Sequence, residues 1–333
     1  MGVAMISVML YHTAIGKCCD FPFPFSDIFL WYGHWGVDIF LFLSGFGICY
    51  SLKRKKQSIF SFWSKRLCRI IPACLVVGWI LIALSSSLSL KTETISRAIG
   101  LHEWYIRCIL LYYALSPTLA WYFSTFNKRK SLISIVITSA ITTCLVQWIF
   151  ENNVYSIKES VFYLFHGTIM FSISRLPAFV FGFFVADENQ CEESFFSKKT
   201  YLSIAIISCI AALISHALSF SGLIFGKELR FLAYVFLSIS IPLILWIIVK
   251  IFAFFPKQIN HFLAWIGTYS LEIFLIHGII FRWINEYHFC NDNWFVYILC
   301  SFPASFMAAY ILNKTIHIMT MLFGHIKSSS KNQ

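Results

Sequence analysis

Charge is scarce in this sequence. Asp, Glu, Lys and Arg make up 12% of its 333 residues, about half the roughly 25% of an average soluble domain. The 11 cysteines include no CxxC pair and no His/Cys cluster, which excludes the common zinc and dithiol motifs. The alternating pattern of an outer-membrane barrel is missing. So is any internal repeat or separable soluble stretch. The first segment lacks the basic start and small-residue cleavage site of a signal peptide. What remains is apolar: 59% of residues are hydrophobic and 19% aromatic. No soluble core of this length needs so much, so the class is an all-α, polytopic transmembrane helix bundle. The net charge of +11 does not imply nucleic acid, because the basic residues sit in short loops between apolar runs, where they read as topology determinants.

Apolar segments of roughly 20 residues recur, as a bilayer of about 30 Å requires. They fall at 1–16, 29–51, 67–88, 103–123, 131–150, 166–186, 201–220, 229–250, 262–284 and 294–323, so about ten helices are expected. The last contains Pro303 and is expected to kink there. With the 52–66 loop in the cytoplasm, the dense basic runs at 53–56, 65–66, 128–130 and 198–199 all share that side. The outer loops keep only scattered lysines and arginines, and both termini come out cytoplasmic. Residues 1–326 then form one membrane domain and 327–333 a polar tail. The first span opens at Met1 with no charge before it and is read as a spanning helix clipped at its start. Cys49, Cys68, Cys74, Cys108, Cys144, Cys209 and Cys300 lie in or beside spans, where cysteine behaves as a small core residue. Cys18, Cys19 and Cys290 share the outer side and leave one disulfide open.

The outer loops hold no room for an enzyme domain, so chemistry must come from polar groups among the helices. Such groups are expensive in a bilayer and mark a functional site by default. His12 ends the run MISVMLYH. Its unperturbed pKa near 6.5 suits proton transfer, and a neutral imidazole in a dry bundle could activate a hydroxyl. The bland alternative is a helix–helix hydrogen bond. Arg66 and Arg69 lie three apart on one helix face and carry planar forks suited to phosphate. Snorkelling explains Arg66 equally well, but Arg69 lies deeper. Asp38, in GVDIFLFLSGF, needs a partner, for which His12 or Arg69 are candidates. The nearby Ser44, Gly45 and Gly47 suit close helix packing. Trp104, in LHEWY, fits an interfacial aromatic belt, whereas Arg107 one turn on is harder to dismiss. Arg175 precedes LPAFVFGFF, and Glu272 and His277 lie in YSLEIFLIH. An Arg175–Glu272 or Arg107–Glu272 pair would be a structural explanation for them.

Taken together these segments resemble the acyltransferase-3 family of integral-membrane acyltransferases. GVAMISVMLYH is similar to the family's first-helix block, which ends in its functional histidine, and WGVDIFLFLSGFGI to the second-helix block. FWSKRLCRIIP resembles the arginine-x-x-arginine motif. EWYIRCILLYYALSP, RLPAFVFGFFVA and IGTYSLEIFLIH resemble later blocks, so the match is ordered along nearly the whole chain. The family's block usually opens with an arginine before the glycine, where this sequence has Met1. With no extracytoplasmic hydrolase-like domain, the chain looks like the stand-alone form. The resemblance implies a multi-pass O-acyltransferase of the plasma (inner) membrane. It would move an acyl group, most often acetyl from cytoplasmic acetyl-CoA, to a hydroxyl of a cell-surface or lipid-linked glycan. The family's histidine falls on His12, as general base or transient acyl carrier, and its arginines on Arg66 and Arg69, as ligands for the CoA phosphates. Asp38 would orient the imidazole. The implied partners are acyl-CoA, the glycan or lipid-linked sugar and membrane lipid, with neither metal nor nucleic acid. A flippase that moves a lipid-linked sugar without chemistry would use the same kinds of residue and remains the competing expectation.

Overall fold

The computed structural model describes residues 1–15, 32–54, 58–84, 92–153, 159–187, 199–219, 226–287 and 293–329. Within them the regular structure is helical. The helices are α1 (Gly2–Ile15), α2 (Gly36–Arg54), α3 (Ile59–Ala83), α4 (Thr92–Ala98), α5 (Trp104–Thr125), α6 (Lys128–Asn153), α7 (Glu159–Asp187), α8 (Lys199–Leu218), α9 (Gly226–Ala253), α10 (Lys257–Thr268), α11 (Ser270–Glu286) and α12 (Trp294–Ser329). A 3₁₀ turn, Tyr32–Trp35, precedes α2.

Each of the ten expected spans overlaps a helix, with 16, 29–31, 85–88 and 220 outside the described residues, but the spans differ in kind. Among the described residues, seven helices are long and apolar enough to cross a membrane, or eight if the bent pair α10–α11 is one span; α5, at the expected span 103–123, is not one of them. The segment Gly2–Thr13 is apolar but shorter. The expected single span 262–284 is broken: α10 and α11 meet at Tyr269 with an 80° bend. Pro303 does not interrupt α12, and the helix continues to Ser329, into the segment expected as a polar tail. Large apolar side chains such as Trp79, Ile137, Ile207, Val249 and Leu299 face outward, as hydrocarbon rather than water would have them. The described cysteines are free thiols. Cys18, Cys19 and Cys290 lie outside the described residues.

The chain divides into two compact units. One comprises Met1–Val37, Arg66–His102 and Pro256–Gln333; the other comprises Asp38–Lys65 and Glu103–Phe255. In the first, α1 packs on α10, on α11 and on the 3₁₀ turn, and α11 packs on α12. Close approach depends on glycine: a Cβ at Gly2 would strike the Leu263 carbonyl of α10, and Gly267 faces Met1 and Gly2.

In the second unit α7 packs against α5, α6 and α9, and α8 against α9. Helix α2 meets α7 along a seam with matched spacing. Asp38, Phe42 and Gly45 on α2 are spaced as Arg175, Phe179 and Gly182 on α7. A Cβ at Gly45 would strike the Phe179 carbonyl, and one at Gly182 the Phe42 carbonyl. Such reciprocal contact of small residues with backbone is how helices associate where water supplies no driving force. Gly45 thus serves the packing role expected of it, whereas Gly47 faces nothing within 4 Å.

Candidate functional site

In the first unit, His12 sits near the end of α1 and His277 in the middle of α11. Side chains on a helix lean toward its N-terminus. Each imidazole therefore reaches the carbonyl four residues back. Nδ1 of His12 lies 3.0 Å from the Val8 carbonyl oxygen, and Nδ1 of His277 lies 2.9 Å from that of Ile273. The two rings also meet, with Nε2 of His277 3.0 Å from Nδ1 of His12 and ring centroids 4.8 Å apart.

The carbonyls assign the tautomers. A carbonyl oxygen only accepts, so both Nδ1 atoms carry hydrogen. In the neutral ring, Nε2 of His277 then holds the lone pair and accepts the His12 Nδ1–H, which is shared with Val8. The lone pair of His12 is left on Nε2. Among the described residues that atom makes no hydrogen bond. His12 is partly exposed, whereas His277 is buried. Phe281 meets the His277 ring edge-on at 5.5 Å and Phe274 lies at 6.0 Å. The pair is a proton acceptor with one open face.

Glu272 and Arg69 lie at the bend between α10 and α11. Glu272 is 2% exposed, and its Oε1 accepts from Asn313 Nδ2 of α12 at 2.7 Å. Arg69 Nη2 is 3.5 Å from the same oxygen and donates to the Thr268 carbonyl at 3.4 Å. That carbonyl belongs to the last turn of α10, where carbonyls lack helical partners. Arg69 is nonetheless 53% exposed, so most of its fork remains free of these long contacts. Arg66, one turn earlier on α3, is partly exposed.

Asp38 is elsewhere occupied. Arg175 Nη1 donates to its Oδ2 at 2.6 Å, with the two side chains 2% and 0% exposed. The guanidinium lies over Tyr234 at 4.0 Å, Trp104 at 5.2 Å and Phe171 at 5.5 Å. Aromatic faces of this kind stabilise a desolvated cation. The expectation that Asp38 pairs with His12 or Arg69 and orients the imidazole is therefore not met. Its charge is taken by Arg175, and the partner of His12 is His277. The Arg175–Glu272 and Arg107–Glu272 pairs are likewise replaced: Arg107 Nε donates to Thr168 Oγ1 at 2.7 Å. Trp104 is not a simple belt residue, because its ring packs against Phe171 at 4.4 Å, tilted by 30°, as well as flanking Arg175.

Sequence reasoning named His277 without seeing its partner, and it missed Asn313, Phe171 and Tyr234. Asn313, a lone amide in the apolar run of α12, was findable as an intramembrane polar group. The aromatic residues were not, since this chain has 36 Phe and 15 Tyr.

A family model described as an acyltransferase domain, that of the acyltransferase-3 family, matches residues 2–314. Neither curated proteins nor solved structures yield a match to the chain. The match takes in His12, both arginines, the ion pair and the α10–α11 bend, and so nearly every residue discussed above. The chain belongs to the acyltransferase-3 family and is a multi-pass membrane acyltransferase.

Proposed function

We propose that this acyltransferase moves an acetyl group from cytoplasmic acetyl-CoA to a hydroxyl of a cell-surface or lipid-linked glycan. We place it in the plasma (inner) membrane with both termini cytoplasmic. The observation that carries the reading is the open lone pair on Nε2 of His12, held opposite a bonded Nδ1. That is the arrangement a general base needs.

The acceptor O–H gives its proton to Nε2 of His12 as its oxygen attacks the thioester carbonyl. The C–O bond forms, the C–S bond breaks, and the departing thiolate takes the proton back from the imidazolium. Ester and free CoA result, with the imidazole restored. Arg66 and the exposed fork of Arg69 offer planar donors to the donor's phosphates from the cytoplasmic end of α3. The basic loops concentrate the anionic donor on that side.

The test is alkali-labile acetate in the envelope glycans of the source organism. Wild type, a deletion strain and the deletion complemented with His12→Ala are compared. Ester acetate should fall on deletion and return only with the wild-type copy, and the fraction that changes identifies the acceptor. If no ester of any acyl chain changes while lipid-linked sugar accumulates on one leaflet, the flippase reading replaces this one, since a flippase consumes no thioester.

A further inference from the structure

The acyl-transfer reading, on which this inference rests, gives His12 the proton but does not say what makes the imidazole a good place to put it. Imidazolium formation in a dry bundle needs a partner for the Nδ1–H. A carboxylate often fills that place beside a catalytic histidine. Here the nearby-sequence candidate, Asp38, is bound to Arg175. The Val8 carbonyl on the other side of Nδ1 belongs to the same helix as His12 and is also within the reach of that helix's own backbone N–H groups. Among the described residues, the one acceptor presented to Nδ1 from another helix is Nε2 of His277.

We propose that His277 is the positioning residue of the transfer step. It accepts the His12 Nδ1–H, fixes the ring so that the Nε2 lone pair faces outward, and stabilises the imidazolium formed when the acceptor hydroxyl loses its proton. Its own Nδ1–H is committed to Ile273, which keeps its Nε2 unprotonated and able to accept. The proton moves from the acceptor oxygen to Nε2 of His12 and on to the thiolate, and His277 ends each cycle unchanged.

The rest of α11 is built to hold that nitrogen still. Glu272, in the first turn, is tied to Asn313 of α12 and to Arg69 at the bend. Phe281, one turn beyond His277, is wedged between the His277 ring and the aromatic rings of Phe302 and Tyr297. Helix α11 is thus fastened on both sides of His277. A broken span supports such fixation, because a half-helix can be set independently of its continuation.

Two variants separate positioning from bulk. His277→Gln keeps an acceptor oxygen near the place of Nε2, and His277→Leu keeps the volume without the acceptor. Both are purified in lipid nanodiscs, checked for cooperative thermal unfolding, and assayed for acyl transfer from acetyl-CoA to the acceptor glycan. His277→Leu should lower kcat by about tenfold or more while KM for the donor stays within about twofold. His277→Gln should recover kcat to within about threefold of wild type. Nitrogen NMR of histidine-labelled wild type in bilayers gives a readout that needs no turnover. It should correlate a protonated His12 Nδ1 with an unprotonated His277 Nε2. Folded His277→Leu with wild-type kcat, equal loss in both variants, or a protonated His277 Nε2 would each overturn the proposal. Absence of transfer from any acyl-CoA by wild type overturns the function reading itself, a result distinct from all three.

Discussion

The two units hold their polar groups in opposite ways. In the second, Asp38 and Arg175 are sealed from solvent, joined at 2.6 Å and boxed by Tyr234, Trp104 and Phe171. In the first, His12 and His277 also touch, but His12 keeps an open nitrogen and Arg69 keeps half of its surface. Asp38 Oδ1 and Arg175 Nε have no hydrogen-bond partner among the described residues, but both are buried away from any substrate. The histidine pair keeps its free lone pair on a partly exposed ring. Burial and pairing alone therefore do not mark chemistry in a bilayer. What matters is whether an unspent donor or acceptor remains where a substrate can meet it.

Four experiments sharpen that contrast, in descending size of effect. His12→Ala should leave thermal unfolding nearly unchanged and lower acyl transfer by about 100-fold or more, the scale of a lost general base. Transfer assays on nanodisc-embedded protein read this directly. Asp38→Asn or Arg175→Met alone strands a buried charge and should cost about 3–5 kcal/mol of stability. The double variant should recover most of it, which a denaturation series on all three proteins would reveal. Gly182→Leu places a side chain against the Phe42 carbonyl and should lose about 1–3 kcal/mol by overpacking. Tm of the variant beside Gly47→Leu checks it, since Gly47 faces open space. Arg69→Ala should have the mildest effect on stability, about 1 kcal/mol or less, because its ion pair is half-exposed. Its expected signature is a raised KM for acetyl-CoA that disappears with acetyl-pantetheine, a donor without the CoA phosphates.

Much of this architecture was legible in the sequence. Hydropathy located helix at the expected spans, because a bilayer imposes length and composition on a crossing, although among the described residues seven or eight helices rather than ten meet those demands. The block order and the polar residues in it pointed to the family. The failures were failures of pairing. Nothing in GVDIFLFLSGF tells Asp38 to choose Arg175 over His12, since that choice depends on the matched α2–α7 spacing in three dimensions. The bend at Tyr269 was also hidden: YSLEIFLIH carries no proline, and the contacts seen beside the bend come from Arg69 and Asn313, which are distant in sequence. His277 was visible as an intramembrane histidine, but its value comes from a nitrogen 3.0 Å from His12.

The most direct test of the account is acyl transfer by two folded variants measured side by side in nanodiscs: His12→Ala, and the charge-free Asp38→Asn/Arg175→Met double variant. The account predicts that the double variant transfers acyl groups at a rate near wild type and that His12→Ala does not transfer them. A folded, inactive double variant beside an active His12→Ala protein would contradict it and move the chemistry to the buried ion pair.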